Sequence, residues 1–193
     1  MSRFVKSLEN NKDAIEVFDT IKEMYSFIKA SEEFRASRSQ FTVTDDNHHI
    51  VDEKFPLIAE FREKYKMSNF MLVMEYSNPN FYTTKPHSHN IENTTGSIFW
   101  PIVYSEYAAT SFYLPPEETI IDLEVKGANF KLKECNWDEP EETVQLQYPT
   151  VFHMNHFHRP VALEDHADNF KRVVCNWEAK SGVSFEELSE LLS

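Results

Sequence analysis

The amino-acid sequence predicts an α+β protein that is mainly β, with helices first, then an eight-stranded jelly roll, and a short helix at the end. Three observations predict this class. Apolar residues recur at helical spacing in two stretches before residue 68. From Asn69 onward, short apolar stretches, several alternating with polar residues, are separated by polar or Pro-bearing turns. A helix-capping signature precedes the last apolar stretch of the chain.

Two amphipathic helices are predicted in the N-terminal part of the chain. Over residues 13–36, Ile, Phe and Tyr recur on one face, with Glu and Lys between them. A second helix is predicted over residues 55–66, and a short strand at 41–44 lies between the two helices. At the other end of the chain, Ser184 and Glu187 have the spacing of a capping box, which predicts a C-terminal helix.

Eight further segments are predicted to be β-strands because they are rich in β-branched and aromatic residues. Polar or Pro-bearing turns separate these segments at short intervals. They are residues 70–76, 81–84, 97–104, 111–113, 119–125, 130–133, 143–148 and 170–177.

The length of 193 residues is sufficient for one hydrophobic core, so we expect a single domain over residues 1–193. Within it we expect an N-terminal helical part over residues 1–68. The jelly-roll core follows over residues 69–178, and the C-terminal helix over residues 183–192.

Composition and charge argue against several classes of function. A formal net charge of −13 argues against a nucleic-acid-binding surface and against binding to anionic membranes. Only three glycines are present, and no Gly-rich phosphate-binding motif occurs. We recognise no signal peptide, no membrane-spanning apolar run and too few cysteines for a disulfide scaffold, so we expect a cytoplasmic protein. The expected partners are a small-molecule or peptide substrate and a second copy of the chain, since C2 dimers are common.

Five of the eight histidines lie in two short segments, residues 86–89 and 149–160. Residues i and i+2 of a strand point to the same face, so His87 and His89 are expected to share a face. The same is expected of His156 and His158. Imidazole is a common transition-metal ligand. Two such segments on separate strands can close on one metal ion, so the sequence predicts a metal site.

The histidine motifs and the strands around them follow one another in a definite order. After the first histidine motif come a strand that contains Pro (98–102) and a Ser-Phe-Tyr strand (111–113). A variable hairpin then leads to a strand that ends in His-Arg (158–159), and the next strand carries Arg172. This order resembles that of the 2-oxoglutarate/Fe(II)-dependent oxygenases, whose fold is the double-stranded β-helix of the cupin superfold. The resemblance covers roughly residues 69–178.

This resemblance implies an iron centre and a cosubstrate. In the family, two histidines and one carboxylate hold Fe(II) and leave positions open for 2-oxoglutarate and O₂. His87 and His89 stand at the early motif, and His158 stands at the distal histidine. Arg172 stands where the family has the cation that pairs with the far carboxylate of 2-oxoglutarate. The residues expected to line the cosubstrate pocket are Tyr82, Trp100, Tyr113 and Asn176.

The early motif departs from the family pattern, because His87-Ser88-His89 has a histidine where the family has Asp or Glu. Glu92 is a further candidate ligand. The sequence leaves open a three-histidine site, a His/Glu/His site that uses Glu92, and a family member that has lost its metal. The corresponding functions are a 2-oxoglutarate- and Fe(II)-dependent dioxygenase or hydroxylase, a cupin-like protein that binds a divalent metal without 2-oxoglutarate, and an inactive jelly-roll binding module.

Overall fold

The structure, a computed structural model, describes residues 2–30, 40–76, 85–90, 96–103, 108–123, 131–163 and 172–193. Over these residues the protein is α+β and mainly β, which confirms the predicted class. Two antiparallel sheets of six strands each are accompanied by four α-helices. Among the described helices, none is both long enough and apolar enough to cross a membrane.

The chain begins with a short strand, continues with three helices and one strand among them, and then consists of strands up to a last helix. The described strands are β1 (Val5–Ser7), β2 (Gln40–Val43), β3 (Met67–Tyr76), β4 (His87–Asn90), β5 (Gly96–Val103), β6 (Ala108–Tyr113), β7 (Ile120–Leu123), β8 (Lys131–Cys135), β9 (Glu142–Val144), β10 (Thr150–His153), β11 (Phe157–Ala162) and β12 (Arg172–Ala179). The described helices are α1 (Lys12–Lys29), α2 (His48–Lys54), α3 (Pro56–Lys64) and α4 (Phe185–Leu191).

The strands are shared between two sheets. The first sheet has the order β1-β10-β5-β12-β3-β2, and the second has the order β7-β8-β4-β11-β6-β9. In the first sheet, β12 is central and pairs with both β3 and β5, which places Asn176 opposite Leu72 on one side and Phe99 on the other. Strand β12 is therefore flanked by a partner strand on each side.

A helical layer covers one face of the first sheet. Helix α1 begins where the Asn11 side chain accepts a hydrogen bond from the Ala14 amide at 2.8 Å, which is a standard N-cap. Its apolar face and that of α3 contribute to one core cluster with the sheet. Trp100 and Trp177 are fully buried there, and the Phe61 ring of α3 lies 5.7 Å from that of Trp100.

A second, smaller core lies between the two sheets. Phe152 of the first sheet and Phe112 of the second meet with ring centroids 5.2 Å apart, and Phe4 stacks on Phe112 at 4.9 Å. Phe152 also presents its ring edge to His158 at 4.8 Å. The first sheet is therefore buried on both faces, by helices on one side and by the second sheet on the other.

Most predicted elements are present, with shifted ends. The first helix ends at Lys29 in the structure, and residues 31–36, the last part of the predicted helix, lie outside the described residues. The predicted strand 81–84 also lies outside them. The C-terminal helix is confirmed together with its cap, because the Ser184 hydroxyl accepts a hydrogen bond from the Glu187 amide at 3.1 Å.

Helix α2 and strand β1 were not predicted, and two predicted strands differ in extent. The strand predicted to end at residues 158–159 is divided into β10 and β11, which lie in different sheets, and His156 lies between them. No element was predicted at α2, because only Val51 of this helix is buried and one buried residue makes no helical pattern. Strand β1 has three residues and is defined by its pairing with β10. The strand predicted over residues 143–148 is limited to β9, since a strand exists only as far as it finds a partner, here β6.

Candidate metal centre

Strands β4 and β11 bring three histidines to one point between the sheets. The two strands pair with His87 opposite His158. Strand alternation places His89 on the same face as His87. One ligand nitrogen from each ring lies within 4.8 Å of the other two. The ring centroids are separated by 5.3 Å (His87 to His89), 4.8 Å (His87 to His158) and 5.4 Å (His89 to His158). The predicted convergence of the two histidine segments is thus present.

Backbone carbonyls orient two of the three rings. Nδ1 of His158 lies 2.8 Å from the carbonyl oxygen of His156, and Nδ1 of His87 lies 3.4 Å from that of Lys85. A carbonyl only accepts, so each Nδ1 carries the proton and each Nε2 keeps its lone pair. Metal-binding histidines are commonly held in this way by a partner behind the ring.

Burial keeps the three imidazoles neutral. It lowers the pKa of His87, and it lowers the pKa of His89 to about 3, with the nearby His87 adding to the effect. The pKa of His158 lies well below its usual value, because of burial first and then because of His87 and His89. A histidine must be unprotonated to bind a metal, and at neutral pH the low pKa values leave all three imidazoles of the cluster unprotonated.

A buried cation faces the histidines from the opposite sheet. Arg172, the first residue of β12, is only 3% exposed. Its guanidinium donates hydrogen bonds to the Thr110 hydroxyl at 3.2 Å and to the Ala109 carbonyl at 3.4 Å. The guanidinium carbon lies 4.8 Å from the centroid of the Phe99 ring. A buried, oriented guanidinium favours a carboxylate ligand, because the planar group can bind both carboxylate oxygens at once.

A cavity of about 210 Å³ connects these groups between the two sheets. It is smaller than the ~300–1,000 Å³ of pockets for drug-sized ligands, so it suits a compact molecule. Its polar lining comes from the three histidines, Thr110, Arg172 and Asn176. The remaining lining is apolar and consists of Leu72, Met74, Phe99, Phe152, Met154 and Pro160.

Of the described residues that were predicted to line the cosubstrate pocket, one lines the cavity and two do not. Asn176 lines the cavity together with the histidines and Arg172. Trp100 does not, because it follows Phe99 on β5 and alternation turns it to the helix-covered face. Tyr113 follows Phe112 on β6 and lies on the outer face of the second sheet, packed with Cys135. For Trp100 and Tyr113 the assignment to the pocket is therefore corrected.

Two predicted residues lie outside the part of the chain that the structure describes. They are Tyr82, predicted for the cosubstrate pocket, and Glu92, the further candidate ligand. Within the described part, the metal-ligand set consists of histidines alone.

Sequence reasoning did not assign several residues that line the cavity. Thr110, which holds Arg172 in place, belongs to a strand whose start the prediction set at residue 111. Leu72 and Met74 of β3 alternate along a predicted strand, but their pattern does not distinguish the two buried faces. Phe152 and Met154 flank His153 in the second histidine segment and line the cavity. Their alternation with His153 could have predicted that both lie on the same face.

The donor set fits a divalent transition metal. Neutral imidazoles suit iron, zinc, copper and nickel, and three of them on one side of an ion leave the other positions open to ligands. The outward Nδ1–H bonds and the low pKa values of the rings agree with this use. With the positive charge of Arg172 nearby, the open positions favour an anionic ligand.

No protein-family model matches the chain, and a search of the curated proteins finds no significant match.

Proposed function

We propose that the protein is a metal-dependent dioxygenase or hydroxylase of the 2-oxoglutarate/Fe(II) type. The observation that carries the proposal is the three-histidine cluster of His87, His89 and His158, which faces the buried Arg172 across one small cavity. When bound, Fe(II) and 2-oxoglutarate would supply the oxidising chemistry, and the chain would supply ligands, an anchor and a dry cavity.

The pairing of the strands supports a double-stranded β-helix, or jelly roll. Eight strands pair from the outside inwards: β3 with β12, β4 with β11, β5 with β10 and β6 with β9. This is the pairing of one long antiparallel hairpin that has been rolled into two sheets, with β7 and β8 forming an extra hairpin between β6 and β9. In this arrangement the histidine strands and the Arg172 strand face each other.

Residues of the chain would bind both ends of the cosubstrate, one end through the metal and the other directly. The three imidazoles would hold the metal, His87 and His158 through Nε2. Arg172 would bind the far carboxylate of 2-oxoglutarate, and the Thr110 and Ala109 oxygens keep the guanidinium in one orientation. Half of the residues that line the cavity are apolar, and surroundings of low polarity would strengthen the attraction between guanidinium and carboxylate.

A second candidate function is a cupin-like metalloprotein that binds a divalent metal through three histidines and does not use 2-oxoglutarate. The composition of the described ligand set favours it, since every ligand there is an uncharged imidazole. Such a metal keeps its full positive charge and attracts an anionic substrate directly. The His/Glu/His alternative depends on Glu92 and stays a prediction.

The expected surroundings are those of a reducing compartment. Cys135 and Cys175 are both buried and form no disulfide. We propose a cytoplasmic location, where thiols stay reduced.

The decisive experiment is an anaerobic titration of the metal-free protein with Fe(II) and then with 2-oxoglutarate. A bidentate keto acid on Fe(II) produces a visible metal-to-ligand charge-transfer band. We expect the band in the wild type, its loss in His158→Ala, and weaker 2-oxoglutarate binding in Arg172→Ala. His49→Ala is the matched control, because it removes an exposed histidine of α2.

Each other result favours a different function. Stoichiometric Fe(II) binding without a band would favour the cupin-like protein. Binding of neither Fe(II) nor 2-oxoglutarate would refute both metal-dependent functions and favour the binding module.

A further inference from the structure

The inner face of β12 carries two polar groups that the cavity joins. Arg172 and Asn176 are four residues apart, so their side chains leave the strand on the same face. At ~3.3 Å per residue, their Cα atoms are about 13 Å apart. Both residues line the same cavity, and the three histidines line it from the facing sheet. The cavity therefore has a cation and a carboxamide on one wall and the histidines on the other.

The Asn176 carboxamide is buried without a full set of hydrogen bonds. The residue is 6% exposed, and among the described residues no group hydrogen-bonds its Oδ1. Its neighbours across the strand pairs are Leu72 and Phe99, which offer no side-chain donor or acceptor. Buried amides are nearly always hydrogen-bonded, and an unsatisfied one destabilises the folded protein. A polar group that is kept here against this cost points to a ligand that completes its bonding.

The size and lining of the cavity restrict that ligand. About 210 Å³ admits a compact molecule, and the apolar walls leave Arg172, Thr110, Asn176 and the histidines as the polar contacts. A carboxylate can pair with the Arg172 guanidinium, and a metal-binding group can bind the ion. A third polar group is required to satisfy Asn176.

We propose that Asn176 is a second anchoring point of this cavity, and that its ligand is a short carboxylic acid with a further hydrogen-bonding group. One carboxylate pairs with Arg172, and the further polar group bonds to the Asn176 carboxamide. Short keto, hydroxy or amino dicarboxylic acids have this chemistry, and 2-oxoglutarate is the probe. The inference rests on the proposed metal and anion site.

The test compares Asn176→Leu with the wild type in two measurements. The first is the affinity of the Co(II)-loaded protein for 2-oxoglutarate, measured by calorimetry. We expect about a tenfold loss of affinity, because one hydrogen bond to the ligand is removed. The second is the Tm of the protein without metal or ligand. We expect it to stay equal or to rise by up to about 4 °C, because leucine has a similar volume and leaves no unsatisfied amide.

The matched control is Cys175→Ala, on the next residue of the same strand. Cys175 is fully buried on the helix-covered face. Its truncation should lower the Tm and leave the affinity for 2-oxoglutarate unchanged. The two variants thus have opposite expected patterns, which a general loosening of β12 would not produce. Asn176→Ala should also bind about tenfold more weakly, and it replaces the leucine variant if that variant does not fold.

The outcomes separate this inference from the function on which it rests. Equal 2-oxoglutarate affinity in the wild type and in Asn176→Leu would overturn the role of Asn176 and leave the metal and anion site standing. A fall in the Tm of the ligand-free Asn176→Leu variant would mean that the carboxamide is structural. A wild type that binds neither Co(II) nor 2-oxoglutarate would overturn both the inference and the proposed function.

Discussion

Glu178 provides a sharp test of the interior between the sheets, because burial makes a negative charge on its carboxyl group unfavourable. By strand alternation it lies on the same face of β12 as Arg172 and Asn176, opposite Ser97 in the pairing with β5. Burial raises the pKa of its carboxyl group from the ordinary 4.5 to about 7. The folded protein therefore holds a proton that the unfolded chain has lost between these two pH values.

The sign and size of the effect follow from the two pKa values. A raised carboxyl pKa contributes stability that is fully present below pH 4.5 and is lost as the pH rises through 7. Between pH 5 and pH 8 the free energy of unfolding should fall by about 2–3 kcal/mol on account of this one group. For a protein of this size that corresponds to a Tm lower by roughly 5–10 °C.

The substitution Glu178→Gln isolates this contribution. Glutamine has the same shape and does not ionise, and every other titrating group is common to both proteins. Urea unfolding at pH 5, 6, 7 and 8, in the presence of EDTA, should show that the wild type loses about 2–3 kcal/mol more than the variant. Glu139→Gln, in the exposed stretch before β9, controls for the removal of one negative charge. Parallel pH dependences for the wild type and Glu178→Gln would refute the reasoning.

Three further predictions concern the elements that frame the site. Ser184→Ala removes the cap on the Glu187 amide and should lower the free energy of unfolding by about 1 kcal/mol in urea, while Ser184→Asp should restore it. Gly96→Ala places a Cβ 2.9 Å from the Ser184 carbonyl oxygen and 3.3 Å from Leu188, so we expect a loss of about 1–3 kcal/mol, and an unchanged Tm would contradict this contact. Trp100→Ala should cost about 3–5 kcal/mol and leave the Fe(II) affinity of the folded protein unchanged, whereas weaker Fe(II) binding measured well below the Tm would return Trp100 to the site.

The local patterns of the chain were enough to predict the class of fold and the kind of site. Helical spacing located α1 and α3, and the capping box located α4. The i, i+2 spacing of His87 and His89 predicted that their rings would share a face, and the family resemblance indicated Arg172 as the cation of the site. These features depend on neighbours along the chain, so the sequence contains them directly.

Which face of each strand lines the cavity was decided only by the tertiary structure. Alternation predicts that Phe99 and Trp100 point in opposite directions, but both directions are apolar in this protein. The first sheet is covered by helices on one face and by the second sheet on the other, so burial does not identify the inner face. The assignment of Trp100 to the pocket was wrong for this reason.

The same limit applies to the contacts that complete the site. The meeting of His87 with His158 depends on the pairing of β4 with β11, which are about 70 residues apart in the sequence. The hold of Thr110 on Arg172 and the unsatisfied amide of Asn176 depend on how the two sheets face each other. Composition and spacing thus determined which residue types were present for the chemistry. Only the packing of the two sheets decided which of these residues contact one another. Long-range pairing joins distant segments, and the local pattern of one segment does not predict its partner.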